Sequence, residues 1–204
     1  MTQKWKGQES DRRTGQHLAR FLLVGFYTGT RAGAICNASL VPDPDRGYID
    51  LERGIFYRRA QTARRTKKRQ TPCPIPPRLL AHIKRLLAHI KRWQRLGLVH
   101  KHVVEWNGEP VSRVSKSFRR ACEAAGLGED VTPHTLRHTA ATWMMQNGVP
   151  IWQASGFLGM TEEVLRDVYG HHHPDFLAEA VRGISTRQPA RAAEPKIVAI
   201  GGKR

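Results

Sequence analysis

Between Pro77 and Leu96 the apolar residues Leu79, Ile83, Leu86, Ile90 and Trp93 fall at alternating intervals of four and three. At 3.6 residues per turn this spacing lines them up in one stripe along a helix. A helix with a single apolar side requires another layer to cover it. The stripe is carried by a seven-residue repeat, Leu79–Arg85 followed by Leu86–Arg92. Two heptads are too few for a coiled coil, so the helix is expected to face the core of its own chain. His82 and His89, on the same helix, read as solvated or packed side chains rather than ligands.

Upstream of Pro77 the apolar period shortens to that of strands. Tyr48–Leu51 and Ile55–Tyr57 flank the turn Glu52-Arg53-Gly54, and a third strand is expected around Gln70–Ile75. Pro72, Pro74 and Pro76 lack the N–H that a central strand must donate, which puts this strand at a sheet edge. Earlier still, Leu18, Phe21, Leu22 and Phe26 recur at helical spacing, Thr28-Gly29-Thr30 interrupts, and Ala32–Leu40 reads as a second short helix. After the long helix, Val103–Val111 reads as a short extended hairpin or loop around Asn107-Gly108, and Ser112 is expected to cap a helix reaching Ala125. Helices follow at Thr135–Asn147, Pro150–Phe157 and Thr161–Tyr169, with another after Pro174. The fold class is therefore mainly α with a small antiparallel β-sheet (α+β). Residues 1–16 form a polar N-terminal segment, 17–184 the folded domain, and 185–204 a basic tail expected to be flexible.

The charge is the least ordinary property of the composition: 34 Lys and Arg against 17 Asp and Glu give a net +17. An excess of this size points to a polyanionic partner, nucleic acid being the commonest. The densest run is Arg58, Arg59, Arg64, Arg65, Lys67, Lys68 and Arg69, with no acid among them. Flanked by strands, it reads as a hairpin tip contacting DNA phosphates. Cys36, Cys73 and Cys122 are far apart and have no metal-ligand spacing, which fits free thiols in a reducing compartment. No run approaches 18 apolar residues and the N-terminus carries no apolar signal core, so a cytoplasmic chain without a membrane span is expected.

Three further features carry chemistry. In His134-Thr135-Leu136-Arg137-His138 the imidazole of His134 and the guanidinium of Arg137 lie three residues apart, on one helix face, where both can address a single anion. His138, one residue on, projects elsewhere and reads as structural. Arg31 enters a helix from the bend Thr28-Gly29-Thr30, a position from which its side chain can point into a cleft. Leu158-Gly159-Met160 precedes Tyr169 and the run Gly170-His171-His172-His173. Adjacent histidines point in different directions, and no carboxylate or cysteine completes a zinc site at helical spacing, so no metal is expected.

Taken in order, TGTRAGAICNASL, TKKRQTPCPIP, HTLRHTAATWM and FLGM…Tyr169-Gly170-His171 resemble the tyrosine recombinase or phage integrase family, over about residues 17–183. The resemblance implies a catalytic domain of that family that cuts and rejoins double-stranded DNA without metal or nucleotide cofactor. It places the family's catalytic arginines at Arg31 and Arg137, its histidine at His134, and its nucleophile at Tyr169. The hairpin lysine falls on Lys67, with Lys68 as the alternative. It also implies a homo-tetramer on two duplexes, with the chain after Pro174 reaching into a neighbour. Tyr27, Tyr48 and Tyr57 lie outside the pattern.

Three departures stand against it. Met160 occupies a position usually filled by His or Trp, Ala34 one often acidic, and about 16 residues precede the first core helix where relatives carry a further helical domain. Two alternatives remain at this stage: a type IB topoisomerase-like enzyme, and a DNA-binding protein of the same fold with weak or no catalysis.

Overall fold

The computed structural model describes residues 15, 17–64, 69–94, 101–106 and 108–185, with the backbone alone over 86–94. Helix α1 (17–28) turns Leu18, Phe21 and Val24 into the core and leaves Phe26 exposed. It stops at Gly29, whose φ of +57° is left-handed and whose N–H still bonds back to the Gly25 carbonyl at 2.9 Å. Helix α2 (Ala32–Cys36) starts after Arg31, and strand β1 (Ala38–Ser39) follows at once. The expected helix to Leu40 is thus cut short. Its second half pairs in parallel with β2 (Gly47–Asp50), where the chain gains ladder hydrogen bonds instead.

β2 pairs antiparallel with β3 (Ile55–Tyr57), and β3 with β4 (Cys73–Pro74), giving the sheet order β1-β2-β3-β4. The expected antiparallel strands are present, the proline-bearing one at the edge, and the parallel β1 makes the sheet mixed. Ile49, Phe56 and Cys73 point to the buried side. Helix α3 (Pro77–Gln94) covers them with Leu79 and Ile83, while His82 stays exposed. The remainder of the expected stripe, Leu86, Ile90 and Trp93, lies outside the described side chains.

A two-stranded hairpin, β5 (Glu105–Trp106) and β6 (Glu109–Pro110), leads to α4 (Ser115–Ala124). The residue preceding α4 is Val114, so Ser112 does not cap it, and no side chain caps this helix; the Ser117 hydroxyl instead donates back to the Val114 carbonyl at 3.0 Å. Helices α5 (Thr135–Gln146), α6 (Ile151–Leu158) and α7 (Glu162–Tyr169) then pack on one another. Thr161 caps α7 by accepting from the Val164 N–H, with Glu162 and Glu163 favouring the positive helix end. A single 3-10 turn (Gly170–His172) and α8 (Ala178–Ser185) follow.

The core has two parts. Phe21, Ile35, Phe56, Leu79, Val104, Phe118 and Leu136 belong to one cluster, built from α1 to α5 and the sheet. Ala140, Met145, Leu158, Leu165 and Tyr169 belong to the other, within α5 to α7. Helix α5 contributes to both, so its first turns stand at the junction. The expected segment 1–16 lies outside the described residues except for Gly15, and so does the tail after Ser185. Among the described residues, no helix is long and apolar enough to cross a membrane.

Candidate active site

At that junction, three guanidinium groups meet. Arg137, in the first turn of α5, is 4% exposed. Its Nη1 donates to the Gly29 carbonyl at 2.7 Å and to the Leu158 carbonyl at 2.6 Å, and its Nη2 reaches the Gly159 carbonyl at 3.4 Å. One side chain thus ties the α1–α2 bend to the end of α6. These contacts engage three of its five N–H groups and orient the rest. Arg31, at the start of α2, donates from Nη1 to the Arg69 carbonyl at 3.1 Å and remains partly exposed.

The third guanidinium is Arg58, and here the structure corrects the sequence reading. Arg58 was expected on an exposed basic loop, yet it is 5% exposed, just after β3. Its Nε donates to Thr30 Oγ1 at 2.8 Å, its Nη2 to the Thr28 carbonyl at 2.8 Å, and its Nη1 to the Phe157 and Thr71 carbonyls at 2.7 and 3.4 Å. A group so engaged has little left for DNA. It binds the bend before Arg31 to α6 and to the strand after the basic loop.

Among the described residues, no carboxylate pairs with Arg31, Arg58 or Arg137. Burial pushes the Arg137 guanidinium down to about 10, with the charges of Arg31 and then Arg58 adding to the effect and Tyr169 opposing it. Burial likewise lowers Arg58, with Arg31 contributing. Even so lowered, the Arg137 guanidinium stays cationic near neutral pH. A compact cluster of positive charge without acids is electrostatically complementary to an anion with several oxygens.

Tyr169 ends α7 and is 6% exposed. Burial raises its phenol above the ordinary value, and the nearby positive charge of Arg137 offsets part of that. Its hydroxyl meets Nδ1 of His138 at 2.5 Å. His138 is therefore not the bystander its place beside Arg137 implied. The missed signal was its i,i+4 spacing from His134: both rings lie on one face of α5, edge to face with centroids 4.6 Å apart. His134 immediately precedes α5 and is lowered by burial first, then by His138, Arg137 and Arg31.

The other expected residues divide. Met160 is half-buried against the cluster containing Tyr169. Arg59 is half-buried and donates from Nη2 to the Ala63 carbonyl, within its own loop. Arg64 and Arg69 are exposed. Arg65, Lys67 and Lys68 lie outside the described residues. His171, His172 and His173 form a turn in which the His173 ring accepts the Asp175 N–H at 3.2 Å. Among the described residues, no group of three His, Cys, Asp or Glu side chains is arranged to hold a metal ion.

A mainly helical domain with a small mixed sheet, a tyrosine ending one helix and arginines drawn from distant segments defines a recognisable class. Residues 8–174 match the phage integrase family, and the chain belongs to that family. The tyrosine recombinase XerD of Corynebacterium glutamicum is 33% identical over 93 residues, covering 45% of this chain and 31% of that protein. The crystal structure of XerA recombinase superimposes with a TM-score of 0.57 at 24% identity, covering 89% of this chain and 61% of the other. The integrase of transposon Tn1549, solved with circular intermediate DNA, gives 0.58 at 17% identity, covering 81% and 59%. These two likenesses are of fold. This chain spans less than a third of the XerD relative it matches.

Proposed function

We propose that this chain cuts and rejoins double-stranded DNA as the catalytic domain of a site-specific recombinase or integrase, through a covalent bond to Tyr169. The observation that carries the reading is the convergence of Tyr169, Arg137 and Arg31, from three separated stretches of sequence, on a site rich in cations where, among the described residues, no acid pairs with the arginines. The phenolic oxygen attacks a scissile phosphate, a 3′-phosphotyrosyl ester forms, and the bond to the 5′-oxygen breaks. Arg31 and Arg137 hold the nonbridging oxygens as negative charge builds on them, and His134 stands beside them as a further donor. Lys67 protonates the departing 5′-oxygen. Attack by the 5′-hydroxyl of another strand reverses the steps and exchanges strands. The ester conserves the bond energy, so neither nucleotide nor metal is required.

The XerD relative is a tyrosine recombinase and the Tn1549 integrase is solved with DNA, which supports DNA as the substrate. Exposed Arg64 and Arg69 flank the catalytic lysine segment and supply phosphate contacts. Assembly as a homo-tetramer on two duplexes, in the bacterial cytoplasm, fits the exposed apolar residues Leu177, Val181 and Ile184 of the last helix region. A non-cleaving DNA-binding protein would need the charge but not a tyrosine hydroxyl held beside a histidine and an arginine.

The test uses a pool of random-sequence duplexes, each nicked close to a fixed position so that cleavage releases a short fragment and traps the intermediate. The chain should form an adduct that survives SDS, and EDTA should leave its yield unchanged. An adduct abolished by EDTA and restored by magnesium or zinc would overturn the mechanism.

A further inference from the structure

The sequence assigns histidine chemistry to His134, yet the imidazole that touches the nucleophile is that of His138. Tyr169 Oη and His138 Nδ1 stand 2.5 Å apart, with ring centroids at 5.8 Å. Tyr169 is 6% exposed, so its hydroxyl proton has little direct access to solvent. The His138 ring, in contrast, is exposed, and a proton that reaches it has a way out to water. His134 packs against His138 edge to face, with ring centroids 4.6 Å apart.

We propose that His138 is a catalytic residue, the general base that takes the proton of Tyr169 during strand cleavage and returns it during rejoining. The inference rests on the strand-transfer reading above and adds to it the route of one proton. Nδ1 can accept only when Nε2 carries the ring proton, so the neutral Nε2–H tautomer is the active form. As Tyr169 Oη bonds to phosphorus, its O–H bond breaks and the proton passes to Nδ1, leaving an imidazolium. The P–O5′ bond breaks in the same displacement, and the 5′-oxygen takes its proton from Lys67. On rejoining, the incoming 5′-hydroxyl gives its proton to Lys67, and the imidazolium reprotonates Tyr169. His134 is left to donate to a nonbridging phosphate oxygen, next to Arg137.

The first measurement needs no DNA. In protein labelled with nitrogen-15 histidine, one Nδ1 resonance should move in Tyr169→Phe, and the same resonance should be absent from His138→Gln. If no resonance moves, the contact does not exist in solution and the proton route falls, while strand transfer stands. The second uses a duplex recovered from the random-sequence pool, made with oxygen or with a 5′-bridging sulfur at the scissile position. His138→Ala should slow adduct formation by about 100-fold on both substrates, because a thiolate leaving group needs no acid but the nucleophile still needs a base. Lys67→Ala should be relieved by the sulfur substrate. His138→Gln keeps an acceptor but has no atom basic enough to take the proton, so it should be about as slow as His138→Ala; a His138→Gln rate close to wild type would make His138 a positioning residue and overturn the proposal. A His138→Ala rate within about threefold of wild type on the oxygen substrate, or a defect cured by sulfur, would overturn the proposal. If the wild-type chain yields no adduct from the pool, strand transfer itself falls and the proton route with it.

Discussion

Arg58 and Arg137 are both buried arginines bonded mainly to carbonyls, but only one of them was legible as a site residue. Arg137 has a neighbour three residues away that marks its purpose; Arg58 sits at the head of a run of cations and looks like one more of them. Its burial depends on the Thr28 and Phe157 carbonyls, which are 30 and 99 residues away in sequence, and no local pattern encodes such partners. The same reason hid His138, whose partner Tyr169 is 31 residues away. Arg58→Met should therefore act on stability: it strands buried carbonyls that the guanidinium satisfies, and denaturant unfolding should show a loss of about 3 kcal/mol. Arg58→Lys should recover little of it, because one ammonium cannot reach acceptors spread around a planar fork. A loss below about 0.5 kcal/mol in Arg58→Met would refute the bracing role.

The elements whose apolar period is long enough were read correctly: α1, α3, α5, α6 and α7, and the pair β2–β3. β1 was missed because a two-residue strand has no period; it exists through its pairing with β2 and a bridge from Ser39 to His102. The start of α4 was misjudged because a serine near a helix onset resembles a cap whether or not it bonds. Another element junction carries a testable constraint. Gly159 ends α6 with φ +65°, and a Cβ there would stand 2.9 Å from the Arg69 carbonyl, the same oxygen that accepts from Arg31. Gly159→Ala should cost about 1–3 kcal/mol of stability from the left-handed backbone and the crowding together. By displacing that carbonyl it should also slow adduct formation below what unfolding accounts for. Wild-type rates and melting would show that α6 does not position Arg31.

Across the whole molecule, α5 joins two apolar clusters, and the first turns of this shared helix carry Arg137 and His138 to the seam between them. A net charge of +17 favours association with a polyanion irrespective of its sequence, as the proposed reaction on DNA requires. Affinity for a random duplex should fall on the order of 1,000-fold between 50 and 200 mM salt if about six phosphates are contacted. A flat salt response would place most of the basic residues away from the DNA. The proposed reaction depends on one oxygen atom. Tyr169→Phe removes the hydroxyl and scarcely changes the apolar volume in a site that is nearly closed, so the fold and the DNA affinity should persist. The decisive measurement is denaturing electrophoresis of the wild type and Tyr169→Phe on the same nicked duplexes, with the attachment point mapped by peptide mass spectrometry. A wild-type adduct is expected on the peptide that contains Tyr169, and none in the variant. An adduct persisting in Tyr169→Phe, or one mapped to Tyr27, Tyr48 or Tyr57, would contradict it.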